Sequence, residues 1–220
     1  MSNITTKNKI GIKSGSLHAR IAEGELLKSV APEKVDVNSL PNRIALMIDV
    51  SGSMTGEPIK LLENAVQDFV QKSNSFDTAI AVESFPEQVR IELTADKQKL
   101  WFFIMGLKAD GGTPMTEAMN YCKEHYSITR GILISDGLPN SSPKFAAESY
   151  KTSKIPVDTV HIGLSSDGED TLKEVSEITG GLFVKFKDIK SFANAFAFLL
   201  PETRSNAAQL FLGSGANEVR

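Results

Sequence analysis

The sequence predicts an α/β fold, with a doubly wound, mostly parallel central sheet and one antiparallel edge strand. Three observations carry that expectation. From residue 42 onward, short β-branched or apolar runs alternate with segments of helical period, the pattern left by successive strand and helix units. The first run, "RIALMIDV", is apolar nearly throughout, as a central strand covered on both faces requires. Two later runs, "TAIAVESF" and "QVRIELT", are parted only by Pro86 and Glu87, a connection short enough for a hairpin and so for one antiparallel pair.

The elements follow in order. After the first strand and its "SGSMTG" turn, Pro58 suits the first turn of a helix, where its missing N–H costs nothing. Leu61, Leu62, Ala65, Phe69 and Val70 then recur at helical spacing, with Lys60, Glu63, Gln67 and Gln71 mainly on the other side. The hairpin comes next, then a helix in "DKQKLWFFIMGL". The glycine-rich loop "ADGGTPM" leads into another helix, again with a proline, Pro114, at its start. In that helix Met115, Ala118, Met119 and Cys122 share one face, which makes the one cysteine a buried small hydrophobe. "TRGILISDG" reads as a strand ending on Asp136, "PKFAAESYKTSK" as a helix, "PVDTVHIG" as a strand, "DGEDTLKEVSEITG" as a helix and "GLFVKF" as a strand. A final helix, "DIKSFANAFAFLL", stops before Pro201. Residues 16–30 carry a weaker helical pattern through Leu17, Ile21, Leu27 and Val30. The expected organisation is an extension over 1–40, a domain over 41–200 and a polar tail over 201–220.

Composition narrows the function classes. The 220 residues are 41% hydrophobic and 23% charged, with a formal net charge of -3, values of an ordinary soluble domain. No basic excess points to nucleic acid. One cysteine permits neither an internal disulfide nor a cysteine-based zinc cluster. No apolar run approaches the ~20 residues of a membrane span, and the N-terminus has no apolar core of secretory length. The expectation is a cytoplasmic protein without a membrane partner.

In open α/β sheets ligands bind beyond the carboxyl ends of the strands, above all where the winding reverses. Three loops answer that description. Asp49, Ser51 and Ser53 leave the first strand, Thr113 follows the glycines of "DGGTP", and Asp136 ends "GILISD". All five side chains offer oxygen, and none offers nitrogen or sulfur, a set that suits a hard cation such as Mg²⁺ rather than zinc. Gly52 is expected to let the turn bring both serine hydroxyls inward. Two carboxylates balance a divalent ion, and the hydroxyls add ligands without charge. A position left to water would then accept an Asp or Glu of a partner.

These motifs resemble the von Willebrand factor type A (vWA) domain with its metal-ion-dependent adhesion site (MIDAS). "DVSGSM" is similar to the family's DxSxS, "GGTP" to its threonine loop, and "ISDG" to its second aspartate loop, with "EITGGLFVKF" matching the punctuation before the last strand. The resemblance spans about residues 42–200 and implies a Rossmann-like vWA fold. It further implies hydroxyl ligands from Ser51, Ser53 and Thr113, with Asp49 and Asp136 binding directly or through water. The cation would be Mg²⁺, with Mn²⁺ or Ca²⁺ as substitutes. Ser135 departs slightly from the family, standing where many members have threonine. "SGSMTGEPIK" looks most like intracellular bacterial members, including those associated with tellurite resistance and with MoxR-type AAA+ ATPases. An adaptor in such a complex is the function this implies.

Each residue also has a plainer reading. Ser51 or Ser53 alone fits a tight turn, and Thr113 before Pro114 fits a helix N-cap. Asp110 reads as a turn residue. Asp167, Glu169 and Asp170 read as a helix start that complements the dipole. Enzyme signatures fare worse: "DVSGS" lacks the GxSxG spacing, no GxxxxGK[ST] is present, and His18, His125 and His161 mark no general base. His161 reads as a strand residue with a local hydrogen bond. A Mg²⁺-dependent hydrolase or phosphotransfer enzyme stays as the alternative, because an Asp at a strand end beside Mg²⁺ is also a phosphatase feature. Ser51, however, occupies the place of the second acid usual there.

Overall fold

A computed structural model describes residues 36–73, 77–162 and 167–186. The helices expected over 16–30 and 188–200, and the tail over 201–220, lie outside the described residues. Six strands form one sheet: β1 (Asn42–Asp49), β2 (Thr78–Phe85), β3 (Arg90–Thr94), β4 (Arg130–Ser135), β5 (Val157–Ile162) and β6 (Phe183–Phe186). Their spatial order is β3-β2-β1-β4-β5-β6. Every neighbouring pair is parallel except β2 with β3, so the antiparallel edge strand is present as expected.

The helices are α1 (Glu57–Lys72), α2 (Lys97–Ile104), α3 (Met115–His125), α4 (Lys144–Thr152) and α5 (Asp167–Thr179), with one-turn 3-10 segments at Val37–Ser39 and Gly52–Met54. They cover the sheet on both faces because strand residues alternate sides. Ile44, Leu46 and Ile48 of β1 join one core with Leu62, Val66, Phe69 and Val70 of α1 and Leu100 and Ile104 of α2. Ala45 and Met47 join the other with Met115, Met119 and Cys122 of α3, Tyr150 of α4 and Leu172 and Val175 of α5. Each large apolar side chain so buried contributes about 1.5–3 kcal/mol, and β1 supplies both cores.

Local rules set the boundaries. Pro58 lies in the first turn of α1. Asp96 caps α2, its side chain accepting from the Gln98 and Lys99 amides at 3.0 and 3.1 Å, which satisfies two of the free donors at a helix start. One detail of α1 differs from the sequence reading. Val66, not Leu61, completes its buried face, since Leu61 lies at the margin of an apolar stripe wider than the residues chosen to define it.

The edge strand is fastened by charge. Glu83 of β2 is buried, and Arg90 of β3 answers it with two hydrogen bonds of 2.8 Å each. The paired planar geometry makes this stronger than a neutral bond. The Arg90 guanidinium also stacks 3.4 Å from the centre of the Tyr121 ring, tying β3 to α3. Beyond the edge strand, α2 exposes Trp101, Phe102 and Phe103, which with Val89, Met105 and Gly106 line an open cleft. Phe102 is 77% exposed.

Candidate metal centre

The chain winds from β1 outward to β2 and β3, then returns to place β4 on the other side of β1. The winding therefore reverses between β1 and β4, and their carboxyl ends open the crevice where such sheets bind ligands. Asp49 is the last residue of β1, and Asp136 directly follows β4.

Asp49 is fully buried. Its Oδ1 accepts from the Ser51 amide at 2.8 Å, and its Oδ2 accepts from the Ser135 hydroxyl. The loop then turns so that the Ser51 and Ser53 hydroxyls lie 3.0 Å apart. Ser53 in turn donates to Asp136 Oδ1 at 2.9 Å. Asp49, Ser51, Ser53 and Asp136 are thus brought into one connected group of oxygen atoms.

Thr113 is buried at 7% exposure, but its hydroxyl is not part of that chain of hydrogen bonds. Main-chain bonds bring its loop alongside instead. The Gly52 amide donates to the Gly111 carbonyl at 3.0 Å, and the Asp110 amide donates to the Val50 carbonyl at 2.8 Å. Asn140, in the loop after β4, clamps Thr113 from the other side, its Oδ1 accepting from the Thr113 amide at 3.0 Å while its own amide donates to the Thr113 carbonyl at 2.9 Å. The helix-capping reading of Thr113 is not what the structure contains: α3 begins at Met115, with Pro114 before it and no side-chain cap.

The glycine that this turn requires is Gly111, with φ of 77° and Pro86 3.0 Å from where a Cβ would stand. Gly52 is outside the left-handed region, and a Cβ there would make only an ordinary contact, 3.5 Å from the Gly111 carbonyl. The role expected of Gly52 therefore belongs to its amide and not to its lack of a side chain.

Burial sets the charge preference of these carboxyls. Burial pushes the Asp49 carboxyl above the ordinary carboxylate range, against the pull of its bonds to Ser135 and Ser51, and the neighbouring Asp136 pushes it further. Burial also raises Asp136, against the pull of Ser53. A cation bound beside Asp49 and Asp136 would favour the charged form of both. Among the described residues no cluster of three or more His, Cys, Asp or Glu forms, so the donor set here is two carboxylates with hydroxyls, which fits a small hard ion.

Two other acidic residues named from the sequence have partners of their own. Asp110 is exposed and accepts from the adjacent Gly111 amide at 2.7 Å. Glu169, in the first turn of α5, pairs with Lys173 and Lys185.

Three neighbours of the site carried no sequence signal of their own. Ser135 is the direct donor to Asp49, and its one clue was its place before Asp136. Asn140 holds Thr113, and nothing in a loop asparagine announces a partner 27 positions away. His161 lies beside Ser135 in the register of β4 and β5. It is fully buried, and neither ring nitrogen has a hydrogen-bond partner among the described residues. The local hydrogen bond expected for it is absent there.

Known structures share this fold at low identity. The conserved hypothetical protein BatB from Bacteroides thetaiotaomicron aligns with a TM-score of 0.64 and 15% identity, over 76% of this chain and 99% of its own. A von Willebrand factor type A protein from Catenulispora acidiphila aligns at 0.59 and 19% identity, over 73% of this chain and 42% of its own. Proximal thread matrix protein 1 from the mussel byssus, with a zinc-occupied MIDAS motif, aligns at 0.61 and 16% identity, over 73% and 45% respectively. No curated protein matches the chain. Residues 44–197 match the von Willebrand factor type A domain, and the chain belongs to that family.

Proposed function

We propose that this vWA domain is a metal-dependent protein-interaction module that captures a carboxylate of its partner through a divalent cation. Asp49, Ser51, Ser53, Thr113 and Asp136 would hold the ion, with Mg²⁺ as the native choice and Mn²⁺ or Ca²⁺ as substitutes. The ion would supply the Lewis-acidic position that a partner's Asp or Glu fills.

The observation that carries this reading is the oxygen-only group itself. Its two carboxylates, both raised by burial, and two hydroxyls are preformed at the sheet's reversal point. A non-enzymatic role is supported by how the serines are used. Ser51 bonds Ser53, Ser53 bonds Asp136 and Ser135 bonds Asp49, and no serine among the described residues is hydrogen-bonded to a histidine. A nucleophile would need such a base. The zinc-occupied motif of the byssus protein supports a cation in this fold.

A protein is favoured over a small free anion as the partner by the exposed aromatic side of α2, since contiguous exposed apolar residues mark interaction surfaces. Among the described residues no helix is long and apolar enough to cross a membrane. That fits the cytoplasmic adaptor role suggested by "SGSMTGEPIK", in company with a MoxR-type AAA+ ATPase.

The test is calorimetric titration of Mg²⁺ into the native chain and Asp49→Ala, followed by capture of a candidate ATPase partner with and without chelator. The native chain should bind Mg²⁺ and release the partner in chelator, and the variant should do neither. Capture of equal strength in chelator would sink the metal bridge.

A further inference from the structure

We propose that His161 is a positioning residue for the cation site, holding Asp136 and the water that Asp136 orders without itself binding the ion. This deepens the proposed reading of the site and rests on it. Three observations lead to it, beginning with register. Ser135 stands opposite His161, and His161 opposite Lys185. Residues at matched positions of parallel strands share a face, so these three form a polar row along the carboxyl edge of the sheet. Ser135 spends its hydroxyl on Asp49. Lys185 pairs with Glu169. His161 stands between them with both nitrogens unpartnered among the described residues.

Burial makes that position informative. At 0% exposure an imidazole carries the full desolvation penalty of its polar atoms unless something satisfies them. An aliphatic strand residue would fill the space without that penalty. The charged groups around the ring are Asp136, Glu169 and Lys185. Glu169 is engaged by two lysines, whereas Asp136 is half-buried and, among the described residues, takes one side-chain donor, the Ser53 hydroxyl on Oδ1. The ring stands against the Asp136 main chain, close enough to interact with it but without the geometry of a hydrogen bond. A water between the imidazole and Asp136 would satisfy both, and would orient the carboxylate toward the crevice as outer partners of metal ligands do.

The experiment is calorimetric titration of the full chain and two variants, His161→Val and His161→Gln, with Mg²⁺ and separately with Zn²⁺. His161→Val fits a strand and cannot hydrogen-bond. It should bind Mg²⁺ some 10–100-fold more weakly, with an unfolding midpoint in chelator no lower than that of the native chain. His161→Gln keeps a donor and should recover most of the affinity. In the native chain, the ring resonances of His161 should shift as Mg²⁺ saturates the site. Native Mg²⁺ affinity in His161→Val would overturn the proposal, as would ring resonances indifferent to the ion. A variant that lost Zn²⁺ while keeping Mg²⁺ would make His161 a ligand and overturn it too. A native chain that takes up no Mg²⁺ fails differently, since it removes the site before His161 is tested.

Discussion

The Ser135 hydroxyl, at the end of β4, donates to Asp49 Oδ2, at the end of β1. This bond crosses the point where the sheet's winding reverses. It fixes one carboxylate oxygen while the Ser51 amide fixes the other, so Asp49 cannot rotate away from the crevice.

Ser135→Ala tests that constraint. The variant leaves a buried carboxylate short of one donor, and the expected loss is about 1–3 kcal/mol of stability. Urea denaturation in chelator measures it. Mg²⁺ affinity should fall about tenfold in parallel, as for other outer partners of a metal ligand. An affinity loss without a stability loss would mean that Ser135 touches the ion and not Asp49.

A second prediction concerns the packing of α5 against the Asp136 loop. A Cβ at Gly168 would stand 2.6 Å from the Gly137 carbonyl oxygen and 2.8 Å from its carbon, and main chain cannot give way as a flexible side chain can. Gly168→Ala should destabilise the fold by about 1–3 kcal/mol through overpacking. Because Gly137 adjoins Asp136, Mg²⁺ affinity should drop as well. A variant of native stability and affinity would show that α5 approaches the loop less closely.

The third concerns acid. Lys173 and Lys185 hold the Glu169 carboxyl down at about 2, against an ordinary value of 4.5. A depressed folded value contributes stability that is complete above 4.5 and is lost as pH falls from there toward 2. Lys173 is partly exposed, and screening leaves about 1 kcal/mol of that contribution. Glu169→Gln should therefore be less stable than the native chain at pH 6, and the difference should shrink below pH 4.5 and vanish only once pH falls through about 2. Thermal unfolding across that range checks the sign. A difference that widened on acidification would contradict it.

Much of this was legible in the sequence for physical reasons. A strand buried on both faces must be apolar throughout, so "RIALMIDV" announced the sheet's centre, and Asp49 and Asp136 were conspicuous as carboxylates at the ends of such runs. The hairpin was legible because so few residues part its strands. The support around the site was not. The Asn140 clamp on Thr113 depends on two loops meeting in space, and asparagine is ordinary in any loop. His161 sat in a strand pattern that tolerates it. Only the register of β4 and β5 shows that it lies beside Ser135, and only the structure shows that it is buried without a hydrogen-bond partner among the described residues. The role expected of Gly52 is met by its amide, and the left-handed glycine is Gly111 in the Thr113 loop, since sequence shows that loops contain glycines but not which one adopts that backbone.

The central place of β1 has a further consequence for how the site comes apart. Local opening of a protein begins where few buried contacts must break, and it reaches a central strand only with the whole structure. Asp49 closes a strand paired on both sides and packed on both faces, whereas Thr113 hangs on a loop held by a few amides. Amide hydrogens through β1 should exchange with solvent at the rate of global unfolding, and those of residues 110–113 far sooner. Half of the proposed cation site is thus as durable as the protein itself, while the other half can breathe.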